Sequence, residues 1–142
     1  MGKRFLMLLF ISFLILIAGC SVQNEDISWQ SGEKTAGPWK VDTVVSLKKD
    51  ENHQILNYSL TVANTSNETL NDVNVEVVFP EDWPKPKSQQ GWIGNEKFEA
   101  GESKELTLKE IHDLSTPLSV DKIKELKIDI EWGDKTITVP FN

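Results

Sequence analysis

The fold is decided by the stretch Leu126-Lys-Ile-Asp-Ile-Glu-Trp-Gly-Asp-Lys-Thr-Ile-Thr-Val-Pro-Phe141. Apolar and polar residues alternate on both sides of Gly133-Asp134, as in two half-buried β-strands. A two-residue loop with glycine first suits a type II′ turn, which fixes how the two strands pair. The residues that then share one face are Ile130 with Ile137, Ile128 with Val139 and Leu126 with Phe141. The turn and the hydrophobic pattern therefore agree on one antiparallel hairpin.

Four earlier segments show the same two-residue alternation and are predicted strands. They are residues 39–48, 56–62, 73–79 and 105–109. A charged turn at residues 49–53 joins the first two strands, and Pro80 ends the third because proline cannot donate to a sheet ladder. The expected cross-strand pairs of the first two strands are Leu47 with Leu56, Val45 with Tyr58 and Thr43 with Leu60.

Two short segments complete the predicted elements. Gly91-Trp92-Ile93 is a candidate edge strand, and Ser119 is a candidate N-cap for one helical turn that ends at Lys124. Seven short antiparallel strands therefore fall within residues 39–142. Such a set predicts an all-β fold, a seven-stranded antiparallel sandwich of two sheets.

Two stretches of this region resemble bacterial immunoglobulin-like and fibronectin-III-like domains. One runs from Leu60 to Phe79 and begins Leu-Thr-Val-Ala-Asn-Thr-Ser, and the other is Ala100-Gly-Glu-Ser103 before a Leu-x-Leu strand. The resemblance implies an immunoglobulin-like β-sandwich over residues 39–142. The sequence has a single cysteine, so the type with a disulfide between its sheets is excluded.

The N-terminus has the three-part layout of a secretory signal peptide. Lys3 and Arg4 precede an apolar run that is shorter than the roughly 20 residues of a spanning helix. The run ends in Ile17-Ala-Gly-Cys20, which resembles a bacterial lipobox. The resemblance implies a lipoprotein signal peptide at residues 1–19 and a lipidated Cys20 with a thioether diacylglycerol, its acyl chains of the palmitate type. The alternative is an uncleaved signal anchor with an incidental cysteine, and both place residues 21–142 outside the cytoplasm.

Residues 20–38 are predicted to be the lipidated cysteine and a flexible tether. The segment is polar, shows no helical or strand periodicity and ends in Gly37-Pro38. A flexible chain of this length reaches about 20–25 Å, which lifts the domain clear of the lipid headgroups. Trp29 is unusual in a linker, and we expect it to pack on the sandwich rather than touch the membrane interface.

The charge of the chain limits its partners. The formal net charge is −7, and removal of Lys3 and Arg4 with the signal peptide leaves 13 basic against 22 acidic residues, a net charge of −9. An acidic surface argues against nucleic acid as a partner and against a broad contact with anionic lipid. With no cysteine pair, the core must be held by apolar packing.

The sequence contains no recognisable catalytic or metal-binding set. His53 and His112 fall in predicted turns or strand ends without spaced ligand partners, so we expect both to be solvated. Asp129, Glu131 and Asp134 lack the dense oxygen-ligand loop of calcium sites. No nucleophile-elbow pattern occurs. We therefore predict no enzyme activity, no cofactor and no metal.

The candidate partner-binding surface is the loop from Pro80 to Trp92, which contains three prolines and the candidate residues Trp83 and Trp92. A stiff loop with two tryptophans can present a rigid aromatic patch. The alternative is that both rings fold back as a lid over the open end of the sandwich.

We expect a membrane-anchored extracytoplasmic lipoprotein that serves as a protein-binding or structural envelope module. The alternative function is a cell-wall glycan-binding module that uses exposed tryptophans.

Overall fold

The computed structural model describes residues 26–90 and 96–142; the predicted signal peptide, Cys20 and Trp92 lie outside them. The described residues form ten strands and one helical turn, α1 (Val120–Ile123). The strands are β1 (Ile27–Gln30), β2 (Lys34–Ala36), β3 (Trp39–Lys49), β4 (His53–Asn64), β5 (Leu70–Val78), β6 (Ser88–Gln90), β7 (Glu96–Phe98), β8 (Ser103–Asp113), β9 (Lys127–Trp132) and β10 (Lys135–Pro140). Within these ranges, no helix has the length and apolarity that crossing a membrane requires.

The strands form two antiparallel sheets, which confirms the predicted all-β sandwich. The six-stranded sheet has the order β1-β3-β4-β8-β6, with β2 also paired to β3, and the four-stranded sheet has the order β10-β9-β5-β7. With β3, β4, β5, β8, β9 and β10 taken as strands A, B, C, E, F and G, one sheet holds A, B and E and the other holds G, F and C. This is how immunoglobulin-like sandwiches distribute their strands.

The core lies between the sheets and is closed by aromatic contacts. Trp39, which is fully buried, packs edge-to-face against Phe98 and Trp132 of the four-stranded sheet. The ring centroids are 5.1 and 5.7 Å apart, the distances at which such pairs add to the stabilisation from buried area. Tyr58 makes a similar contact with Phe141 at 6.3 Å. The two sheets are therefore held by side chains that each strand directs inward.

Both predicted strand registers are confirmed. The pairs of β3 and β4 are Leu47 with Leu56, Val45 with Tyr58 and Thr43 with Leu60. The pairs of β9 and β10 are Ile130 with Ile137 and Ile128 with Val139, and the Phe141 amide donates to the Leu126 carbonyl at 3.0 Å. Gly133 has a φ of +59° while Asp134 keeps a negative φ, as the expected type II′ turn requires.

The prediction of a flexible tether is wrong for residues 27–36. β1 pairs with Val44–Leu47 and β2 with Trp39–Val41, so both extend the six-stranded sheet along one edge of β3. The alternation in β1 covers only four residues, the shortest run in which alternation indicates a strand, and the prediction of a tether overlooks it. Packing decides it, because the Trp29 ring stacks on Phe141 with 6.0 Å between centroids and 11° between planes. The expected packing of Trp29 on the sandwich is therefore confirmed.

The predicted edge strand Gly91-Trp92-Ile93 lies outside the described residues. On either side of it, β6 joins β8 at the edge of the six-stranded sheet and β7 joins β5 at the edge of the four-stranded sheet. These strands of three residues raise the count above the predicted seven. The predicted helical turn is confirmed as α1, since the Ser119 hydroxyl accepts a hydrogen bond from the Lys122 amide at 3.2 Å.

We expect Trp29→Ala to lower the free energy of unfolding by about 2 kcal/mol, because it removes a partly buried indole that stacks on Phe141. Urea unfolding followed by circular dichroism measures this change. The control is Ser28→Ala at the neighbouring exposed position of β1, where the change should stay within about 0.5 kcal/mol. Equal unfolding midpoints for the two variants would mean that β1 behaves as a linker.

Candidate functional site

A shallow groove of about 420 Å³ crosses the outer face of the six-stranded sheet. Two rows of cross-strand neighbours line it. The first row is Ser46, Asn57, Lys109 and Gln90, and the second is Val44, Ser59 and Thr107. These rows follow from the alternation that predicts the strands, because every second residue of a strand in a sandwich faces away from the core.

Five of the seven side chains in these two rows are neutral and polar, although carbon atoms form most of the surface of the groove. Its three hydroxyls and two amides can donate and accept hydrogen bonds, and Lys109 adds a positive charge. The Ser59 hydroxyl donates to Glu105 Oε1 at 2.7 Å. Val44, 38% exposed, adds an apolar contact beside them. The arrangement suits recognition of a polar surface or an extended polar ligand rather than enclosure of an apolar small molecule.

A buried carboxylate lies on the inner side of the same sheet. Glu110 is 1% exposed, and its Oε2 accepts hydrogen bonds from the Tyr58 hydroxyl at 3.0 Å and from the Trp83 indole N–H at 3.3 Å. The same oxygen lies 3.1 Å from Nε2 of His112. A buried carboxylate needs several donors, since removing it from water without them is costly. The cluster therefore ties β4, β8 and the proline-rich loop to one point in the fold.

The prediction that His112 is solvated is wrong. The ring is fully buried, and its Nδ1 has no hydrogen-bond partner among the described residues. A neutral imidazole with its proton on Nε2 donates to Glu110 and leaves only a lone pair unpaired, whereas a charged ring would bury an unpaired N–H. His53, by contrast, begins β4 with its side chain 39% exposed and lies 3.8 Å from Asp50, in agreement with the predicted solvated position.

The sequence contains part of the signal for this cluster. Continuing the alternation of β8 from Leu106 and Leu108 places Glu110 and His112 on the inner face, where charged residues are unusual. A search for catalytic motifs overlooks them, because they match no motif. The other members are separated from Glu110 by 52 and 27 positions along the chain, so only the folded structure brings them together.

Trp83 folds back onto the sandwich. The ring is partly buried against the core, its centroid lies 5.3 Å from that of Phe79, and its N–H is directed to Glu110. This geometry agrees with the lid alternative for this residue. A partner-binding role for Trp83 stays a prediction, as does that of Trp92, which lies outside the described residues. Gln90 at the rim of the groove is the last described residue before Trp92.

Three carboxyl groups with pKa values below their usual range lie at the surface, those of Asp50, Asp82 and Glu99, and the pKa of the last is lowered by its hydrogen bonds from Lys97 and Thr69. Two backbone amides, those of Asn52 and His53, hold the pKa of Asp50 below its usual value. An ion pair with Lys122 does the same for the pKa of Asp82. Among residues 26–90 and 96–142, no three His, Cys, Asp or Glu side chains are grouped so that they could hold a metal ion.

Comparisons with known proteins identify no relative. No protein-family model matches the chain, and neither the curated proteins nor the solved structures give a significant match. Function is therefore inferred from the sequence and from the geometry of the groove and the Glu110 cluster.

We expect Tyr58, the single tyrosine of the chain, to stay protonated in the folded protein at alkaline pH. Burial, and then the nearby Glu110, raise the pKa of Tyr58 far above its ordinary value. In the unfolded chain the phenol ionises near pH 10, so the unfolded state releases a proton that the folded state keeps. Stability should therefore be intact below about pH 10 and fall above it, by up to about 1.4 kcal/mol per pH unit from this group.

Absorbance of tyrosinate near 295 nm measures this ionisation directly, because no other tyrosine contributes. The signal should appear only as the protein unfolds, while denatured protein should titrate near pH 10. Tyr58→Phe is the control for stability, since it should remove this part of the alkaline loss. A reversible titration near pH 10 without unfolding would contradict the burial of the phenol.

Proposed function

We propose that this chain is an extracytoplasmic lipoprotein, held on the cell membrane by lipid on Cys20, whose β-sandwich binds another envelope protein. The observation that carries the binding role is the groove, where hydroxyls, amides and Lys109 point outward from fixed positions of a sheet. Groups held by a rigid sheet lose little conformational freedom when a partner binds. The anchor is supported by the lipobox of the sequence and by its layout, since the sandwich begins at Ile27, seven positions after Cys20.

Binding is favoured over catalysis because the acid–base groups lie on the other side of the sheet. Glu110 and His112 are each at most 1% exposed and neither lines the groove, so a molecule in the groove would not reach them. A protein partner is favoured over a small molecule because the groove is shallow and open along the sheet, whereas small ligands are usually enclosed in concave pockets.

We expect Cys20→Ser to release the protein from the membrane fraction and to abolish incorporation of an alkyne-tagged palmitate in cells, because both depend on the thioether. The matched control is Ser21→Ala, which keeps the cysteine. Mass spectrometry of the mature N-terminal peptide should give the mass of a diacylglyceryl cysteine. A free Cys20 thiol on a released polypeptide would contradict the anchor.

We expect a photoreactive residue, p-benzoylphenylalanine, to form one adduct of defined mass in intact cells when it replaces Asn57 in the groove. The control position is Thr136, which is exposed on β10 in the other sheet and should give no such adduct. Adding Val44→Lys to the Asn57 probe replaces the exposed apolar contact of the groove with a charge. We expect this change to weaken binding by about 1.4 kcal/mol, which corresponds to about tenfold less adduct.

Identical adducts from both positions would reject the groove as the binding surface.

A cell-wall glycan is the second candidate, favoured by the hydroxyls and amides of the groove, which match the hydrogen-bonding capacity of sugars. No protein adduct, together with a shift of tryptophan fluorescence when wall fragments are added, would identify this second function instead. A flat fluorescence titration would count against the glycan.

A further inference from the structure

One end of the sandwich is the end at which β1, the first described strand, begins. β1 starts at Ile27, which pairs with Leu47 near the end of β3. The loops at this end are residues 48–53, 79–87 and 113–127, because β3, β5 and β8 finish there and β4 and β9 start there. We call these three loops the anchor-side end. The loops at the other end are residues 64–72, 96–105 and 131–135.

The length of the chain between Cys20 and Ile27 limits how the sandwich can sit on a membrane. Seven residue steps span about 25 Å at full extension. Along β3 the sheet continues for eight residues from Leu47 to Trp39, about 26 Å, before the opposite loops are reached. With the opposite loops on the lipid, Ile27 would lie at the limit of the extended link or beyond it. The anchor-side end is therefore the end that reaches the membrane without strain.

This end carries the most exposed large apolar side chain of the described residues. Leu114 is 48% exposed and occupies the first central position of a turn closed by a hydrogen bond from the Thr116 amide to the Asp113 carbonyl at 3.0 Å. Buried Gln54 holds the turn from inside, since its Nε2 lies 2.6, 3.2 and 2.8 Å from the carbonyl oxygens of Asp113, Leu114 and Thr116. The hydrogen bonds therefore hold the turn with its leucine directed to solvent, and transfer of this apolar side chain from water into a membrane interface would be favourable.

The net charge of the two ends also favours the anchor-side end as the one that faces the membrane. In the loops of the anchor-side end, seven lysines balance seven acidic residues: Lys48, Lys49, Lys85, Lys87, Lys122, Lys124 and Lys127 against Asp50, Glu51, Glu81, Asp82, Asp113, Asp121 and Glu125. The opposite loops have three lysines against eight acidic residues: Lys97, Lys104 and Lys135 against Glu68, Asp72, Glu96, Glu99, Glu102, Glu105, Glu131 and Asp134. The anchor-side segments therefore have no net charge, whereas the opposite segments have a net charge of 3 − 8 = −5, so an anionic membrane surface repels the opposite end more strongly.

We propose that the anchor-side end docks on the anionic lipid surface of the membrane that holds the chain, with Leu114 inserted among the headgroups. The inference rests on the proposed lipid anchor at Cys20 and adds an orientation to it. The strands of the sandwich then run roughly perpendicular to the membrane surface, and the acidic loops of the opposite end lie farthest from the lipid. The groove on the six-stranded sheet faces sideways, where it is open to a neighbouring envelope protein.

The test uses the full lipidated protein, purified from membranes and placed in vesicles of an equal mixture of phosphatidylcholine and phosphatidylglycerol. Leu114→Cys is labelled with the fluorophore NBD, and Asn67→Cys in an exposed loop of the opposite end is the matched control. Cys20 is the single cysteine of the natural chain, and in the lipidated protein its sulfur is blocked, so only the introduced thiol reacts. Ser115→Cys at the neighbouring exposed position replaces Leu114→Cys if that variant does not fold.

The NBD emission at position 114 should shift to shorter wavelength and be quenched by spin-labelled lipids, whereas the label at position 67 should resemble the fluorophore in water. Vesicles of phosphatidylcholine alone should give a smaller shift, because the anionic lipids that repel the acidic opposite end are absent. Aqueous emission from both labels, or a shift at position 67 only, overturns the proposed orientation while the anchor stands. Uptake of NBD by Cys20 in the unsubstituted protein overturns the anchor itself, so the two failures are distinguished.

Discussion

The hydrogen-bonded ladder through β3, β4 and β8 is the constraint on which the rest of the structure depends. Its register sets Tyr58 between Val45 and Leu108, all directed to the core, and sets Ser59 between Val44 and Thr107, all directed outward. A slip of one residue would exchange the two faces, so that hydroxyls and amides would enter the core. The burial of the inner face therefore also builds the groove on the outer face. The register of β3, β4 and β8 thus determines both the core and the candidate binding surface.

The Glu110 cluster shows how a polar group can organise such a core. Its donors come from different parts of the fold: Tyr58 from β4, His112 from β8 and Trp83 from the proline-rich loop. Buried charged groups of this kind add little net stability compared with apolar packing, but removing one partner leaves the others unpaired. The cluster therefore fixes where the proline-rich loop leaves the sandwich and passes to the rim of the groove. In this way an interior contact shapes the surface beside the candidate site.

β1 changes the relation between the sandwich and its predicted anchor. A tether that ran to Pro38 would let the domain move freely above the membrane, whereas strand pairing from Ile27 leaves a link of only six residues after Cys20. The contact between Trp29 and Phe141 holds residues 27–30 against the core as a strand of the six-stranded sheet. Because β1 lies beside β3, the link leaves the sandwich at the end where Gln54 holds the turn of Leu114. With the proposed lipid on Cys20, strand pairing rather than tether length would therefore decide which surfaces face the membrane.

The sequence by itself determined the class of fold, the register of β3 with β4 and the hairpin of β9 with β10, because burying every second residue is a local rule that alternation expresses directly. The same alternation places the groove residues of β3, β4 and β8 on the outer face. Continued beyond Lys109 it also places Glu110 and His112 on the inner face, but the predicted strand ends at Lys109, so His112 is wrongly expected to be solvated. Only the tertiary structure decided that β1 belongs to the sheet and that Trp83 turns inward. In those segments the local pattern is too short to choose, and the contacts that choose, Trp29 with Phe141 and Trp83 with Glu110, join residues that are distant in the chain and meet only when the two sheets have packed.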